Sequence, residues 1–157
     1  MTVTLELLLR WAHVIGATVL LGTGAGIAFF MLMAHRTRDA ALIAHVASTV
    51  VIADFLFTAT AVLVQPVTGV WLAHLVGWPL DSPWILASVG LYILIGCFWL
   101  PVVWMQMRMR DLAREAASEG TPLPPAYFRL YRSWFLSGFP AFFAMLGIIW
   151  LMLARPV

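Results

Sequence analysis

The sequence predicts an all-α integral membrane protein, a four-helix antiparallel bundle forming one transmembrane domain over residues 1–157. Three observations carry this. First, hydrophobic residues make up 63% of the 157 residues and charged residues only 10%, with a mean hydropathy of +0.97. A soluble domain of this length buries only part of its chain and could not hide so much apolar surface. Second, four apolar stretches, at about 5–33, 40–75, 84–107 and 127–153, are each long enough to cross about 30 Å of hydrocarbon. Third, the arginines are distributed unevenly among the connections.

The first stretch is a membrane helix rather than a cleavable signal. Its opening residues lack a basic segment, and its apolar run is longer than a signal core. A short charged turn, His35 to Asp39, leads to the second helix. That helix is too long to stand straight across a bilayer, so it must tilt, kink or start in the interface. Pro66 supplies a kink, because it leaves the carbonyl of Val62 without its helical partner. Val76 to Pro83 is a tight Gly/Trp/Pro turn, flanked by Trp71, Trp78 and Trp84 as interfacial anchors. The third helix extends into water from Gln106 to Ser118, with Asp111 pairing Arg114. Gly120 stops it, and Pro122, Pro124 and Pro125 forbid its continuation before the fourth helix.

Charge sets the expected orientation. Arg36, Arg38, Arg108, Arg110, Arg114, Arg129 and Arg132 lie at the first and third connections, against Arg10 and Arg155 on the other side. Seven against two places those connections in the cytoplasm and both termini outside, in the periplasm of a bacterial inner membrane. Lysine is absent, so these arginines read as topology signals and not as a nucleic-acid surface. The lone Cys97 excludes an internal disulfide and a cysteine-based metal cluster. Methionines, including Met105 and Met109 on one helix face, read as core filler.

Two polar constellations stand out. Glu6, Arg10 and His13 follow at steps of four and three, on one face of the first helix. Glu6 before Arg10 is the favourable order for a helical ion pair. Ala17, Leu20 and Gly24 continue that face with small residues, a surface on which a flat porphyrin could lie, and imidazole is a common haem ligand. The second constellation is Asp54, Thr58, Gln65 and Thr68, at steps of four, seven and three, with Ala61 filling the gap. A carboxylate costs about 2.5 kcal/mol or more at a bilayer centre, so Asp54 and Gln65 are candidates for proton movement or for binding a polar head group. This stripe is expected to face His13, with the polar site between the first two helices. His74 lies at a depth similar to His13, so both could ligate one metal. Gly22 with Gly26, and Ser137, Ala141, Ala144 and Gly147, read as helix-packing faces. No hydrolase, phosphate-loop or dinucleotide motif is present.

Five stretches resemble an uncharacterised bacterial family of four-helix integral membrane proteins (domain of unknown function 2269). They are Arg10-Trp-Ala-His13, Ala53-Asp-Phe-Leu-Phe-Thr58, Gln65-Pro-Val-Thr-Gly-Val-Trp-Leu72, Trp99-Leu-Pro-Val-Val-Trp104 and Ala154-Arg-Pro156. The basic-x-x-His start of helix one, and the ending from Arg132 through Pro140 to Ala-Arg-Pro-Val, are similar to the J-type membrane protoporphyrinogen oxidases. The copper-resistance D membrane proteins look like a further relative. The oxidase resemblance implies bound haem b and redox chemistry. His13 would be an axial ligand, Arg10 would pair a propionate and Glu6 would orient Arg10. The chain departs from the oxidases in two places. Phe29 and Phe30 stand where they have a Pro-Arg pair, and helix three has no histidine, offering Trp99, Pro101 and Trp104 instead.

Three functions are therefore open. One is a haem-b membrane redox protein. Another is a binding or transport module in which the Asp54 stripe takes a small polar molecule or lipid head group and Pro66 supplies a hinge; a porphyrin or quinone-like molecule is a further candidate ligand of the chain. The third is a structural subunit of a homo-oligomer or larger membrane complex. None involves nucleic acid.

Overall fold

The computed structural model describes residues 2–156. Four helices are long and apolar enough to cross a membrane. They are α1 (Thr2–Thr37), α2 (Ala40–Val76), α3 (Pro83–Glu119) and α4 (Pro125–Ala154), and no strand occurs among the described residues. α1, α2 and α4 end within a few residues of their apolar stretches, while α3 runs well beyond its own, to Glu119. α1 runs on to Thr37 and breaks where Arg38 takes a left-handed φ of 57°. Asp39 then caps α2, its carboxylate accepting the Leu42 N–H at 3.0 Å. Gly77 (φ 81°) and Gly120 (φ 66°) end α2 and α3 in the same left-handed conformation, which costs glycine little. Pro83 and Pro125 open the next helices, where a missing N–H is harmless.

α2 is interrupted midway by a π-helical turn, Asp54–Thr58, in which the Ala59 N–H reaches back five residues to the Asp54 carbonyl. One residue has been added to a turn, so everything beyond is rotated relative to an unbroken α-helix. The second half, Ala59–Val76, carries Pro66 inside it. The Val62 carbonyl freed by Pro66 is taken by the Tyr92 hydroxyl of α3, which donates to it at 2.5 Å. In a membrane such a carbonyl has no water to turn to.

The packing is uneven along the bundle axis. At the end bearing the arginine-rich connections (the basic end), Met31, Ile43, Ala47, Met109, Ala113 and Tyr127 are almost completely buried in one cluster drawn from all four helices. The third helix was expected to leave the core at Gln106. It continues to Glu119, but Gln106, Met109, Ala113 and Ala116 stay buried, because the first half of α2 packs along this stretch. Arg114 donates to Ser48 Oγ at 2.8 Å, and Asp111 pairs with Arg110, not with Arg114.

Away from the basic end the bundle separates into two hairpins. α1 stays packed on α2, and α3 on α4. The second half of α2 barely meets α3, and α1 touches α4 little. Gly147 lets α4 approach Leu91 closely, as expected of a small residue. Gly22 and Gly26 do not act this way, since a Cβ at either would meet nothing within 4 Å. The outer faces are apolar, with Ile52, Leu63, Leu100, Trp150 and Leu153 well exposed, as lipid requires. At the end opposite the arginine-rich connections, Trp78 and Trp84 meet edge to face, and the Arg155 guanidinium sits 4.3 Å from the Trp78 ring centre.

Candidate functional site

The expected polar residues form two separate groups. The first lies between α1 and the second half of α2. His13 Nδ1 is 2.9 Å from Thr68 Oγ1, and Gln65 Nε2 donates to the His13 carbonyl at 3.0 Å. Two glycines make this possible. A Cβ on Gly69 would stand 3.1 Å from His13 Cε1, and one on Gly16 would stand 3.2 Å from the Gln65 amide. Each polar side chain thus lies over a glycine of the facing helix, a reciprocal fit that brings the backbones close. Gln65 Oε1 is buried without a partner.

Asp54 does not join this group. The π-turn lies between Asp54 and Gln65, so the carboxylate turns toward α3 while Gln65 and Thr68 face α1. Trp99 Nε1 donates to Asp54 Oδ1 at 3.3 Å. Gln106 completes the group. The Trp134 indole can only donate, so the Gln106 oxygen must face it (3.2 Å), which turns the Gln106 nitrogen to Asp54 Oδ2 (3.2 Å). Asp54 is 3% exposed and Gln106 2%, so this is a buried network with partners on both carboxylate oxygens. Asp54 and Gln65, expected to share one proton path, are held by different neighbours.

The Asp54 network forms the polar pole of a cavity of about 420 Å³ between the two hairpins. Its remaining wall is apolar apart from the hydroxyls of Thr58, Tyr92 and Ser137. Leu20, Gly24 and Ala28 line it from α1, and Phe135, Phe139 and Phe142 from α4. Thr58 also lines it, and its buried hydroxyl has no partner. The volume falls in the range of small-molecule sites, which are typically apolar with a few placed polar groups. Because α1 and α4 touch little, the cavity adjoins the seam that faces lipid.

The remaining candidates stand apart. Glu6 and Arg10 form the expected ion pair at 2.5 Å, half-exposed on the surface of α1. His74 is exposed; six residues past Thr68, its side chain points about 120° away from the face that meets α1. It is not brought to His13, and no group of three or more His, Cys, Asp or Glu side chains that could hold a metal occurs among the described residues. His35, by contrast, stacks on Tyr131 with ring centres 3.5 Å apart, near the buried Tyr127.

Haem b needs an imidazole nitrogen free to reach iron and a flat space in front of it. His13 Nδ1 is engaged with Thr68, which leaves Nε2 as the nitrogen that could ligate, and the Cε1 edge lies on Gly69. The cavity begins at Leu20, two turns deeper on α1, and no histidine is among the residues that line it. These residues do not fit haem in the cavity with His13 as its ligand.

The profile of a family described as a predicted integral membrane protein (DUF2269) matches residues 7–156. The chain belongs to that family. No curated protein and no solved structure matches it. The matched region takes in both polar groups and the whole cavity wall.

Gln106, Trp134 and Tyr92 were not singled out from the sequence. Gln106 stands beside Arg108 and Arg110, and so read as the start of a water-exposed extension. A usable signal was there: Trp99 and Gln106 are seven residues apart, two turns on one helix face, as an inward polar stripe requires.

Proposed function

We propose that this chain is a membrane-embedded binding module. It takes a small, largely apolar molecule from the lipid into the space between its hairpins and fixes one polar group of that molecule at Asp54 and Thr58. The observation that carries this is the 420 Å³, largely apolar cavity with a polar pole at Asp54. An empty apolar space of this size forfeits dispersion contacts along its whole lining. A ligand would restore them, and the open α1–α4 seam suits entry from the bilayer rather than from water.

The test is extraction of the protein with its surrounding lipid, followed by native mass spectrometry. One lipophilic molecule retained per chain is expected. Gly24→Leu, which adds a side chain to the cavity wall where nothing stands within 4 Å, should release it. Retention unchanged by Gly24→Leu would refute the reading. The same sample gives an absorption spectrum. A Soret band lost on His13→Ala would return the haem-b redox reading to first place. A featureless spectrum with no retained molecule, together with copurification of a larger complex, would favour a structural subunit.

A further inference from the structure

We propose that the cavity selects a lipophilic cation, a compact aromatic or branched body carrying an ammonium- or phosphonium-type charge, with Asp54 as its counter-ion. This rests on the cavity being a binding site and names the class of molecule it takes.

The hydrogen-bond directions at the polar pole carry the inference. Indole N–H groups only donate. Trp99 therefore gives a proton to one oxygen of Asp54, and Trp134, by fixing the Gln106 amide, turns an N–H to the other. Two donors on two oxygens is the arrangement an acceptor-only carboxylate takes. Tyr92, the remaining hydroxyl donor on α3 at this wall, is committed to the Val62 carbonyl. The pole thus offers the carboxylate lone pairs as acceptors, beside the unpartnered Thr58 hydroxyl, which can accept or donate.

No arginine, lysine or histidine is among the residues that line the cavity. A carboxylate at this depth without a cation is poorly compensated, since buried charges are normally paired. A ligand cation completes the pair. The walls suit it, because Tyr92, Trp99, Trp134, Phe135, Phe139 and Phe142 all border the space, and aromatic faces attract cations. A neutral quinone-like molecule leaves the Asp54 charge unpaired, and its carbonyl oxygens would find only the Thr58 and Ser137 hydroxyls as donors, because the Trp99, Gln106 and Tyr92 donors already face the protein.

The test uses the full chain in lipid nanodiscs and equilibrium dialysis with two probes of similar bulk. One is tetraphenylphosphonium, and the other is triphenylphosphine oxide, a neutral hydrogen-bond acceptor. The protein should bind the cation at least tenfold more tightly. Asp54→Asn should weaken the cation tenfold or more and leave the phosphine oxide unchanged, while Gly24→Leu should weaken both. If the phosphine oxide binds as tightly as the cation, or if Asp54→Asn leaves cation binding intact, the charge selectivity is overturned and the cavity reading stands. If neither probe is retained, or if Gly24→Leu changes nothing, both are overturned. Should Asp54→Asn fail to fold, the preference of the unaltered protein between the two probes decides the matter.

Discussion

The basic end of the bundle and its middle are built from the same four helices, yet one is filled and the other hollow. At the basic end Met31, Ile43, Met109 and Tyr127 interlock with alanines at 34, 47 and 113, large side chains set against small ones. At mid-depth both walls of the gap carry small residues, Gly24 and Ala25 on α1 and Gly138 and Ala141 on α4, and the larger side chains around them, such as Leu20 and Phe139, border the space without closing it. Nothing large fills the space, and the cavity results. Lipid-facing surface is no guide to this difference, because it is apolar at both levels. In a membrane, what separates a packed core from a site is the pairing of side-chain sizes across the interior.

The largest effect is expected where packing is complete. Met109→Ala should cost about 2–5 kcal/mol, because a filled core cannot close over the void. Reversible unfolding in mixed detergent micelles measures it, and a cost below 1 kcal/mol would mean that the basic end is no better packed than the middle.

Next comes the seam between α1 and α2. Gly69→Val would drive a side chain into His13, whose ring already lies 3.1 Å from the site of a Cβ. A loss of about 1–3 kcal/mol is expected from overpacking. It should be accompanied by changed accessibility of the hairpin to cysteine labelling near Gly16. Gly22→Val, on α1 with nothing within 4 Å, serves as the neutral control.

A smaller effect is expected at the latch between the hairpins. Tyr92→Phe strands the Val62 carbonyl, at a cost of about 1 kcal/mol. Pro66→Ala restores a backbone N–H to that carbonyl, so the Tyr92→Phe cost should vanish in the Pro66→Ala background. A double-mutant cycle reads this coupling, and additive effects would show that the hydroxyl does not serve the proline's orphan.

The smallest effect on stability belongs to the hollow middle. Gly24→Leu should change unfolding by no more than about 0.5 kcal/mol, as substitutions away from filled space usually do. A large loss there would mean that the cavity is not open space, and the comparison would collapse.

The sequence by itself determined much of this. Four spans, their turns and their breakers follow from apolar length, left-handed glycines and prolines, all of them local signals. Asp54 was legible as costly, and Val62 as an orphaned carbonyl, because both follow from arithmetic along one helix. That Gln65 and Thr68 share one face also followed from periodicity within α2. What only the tertiary structure decided is which neighbour each polar group meets. The π-turn at Asp54–Thr58 adds one residue to a turn, a shift that no pattern of 3.6 anticipates, and so it divides a stripe that looks continuous in sequence. Gln106 looked wet because it stands beside arginines, yet it is buried, since burial there is set by α2 and not by its own neighbours in the chain. The cavity is the furthest from the sequence. It arises where small residues of α1 and α4 coincide in depth across a seam, a relation between distant segments that exists only once the helices have packed.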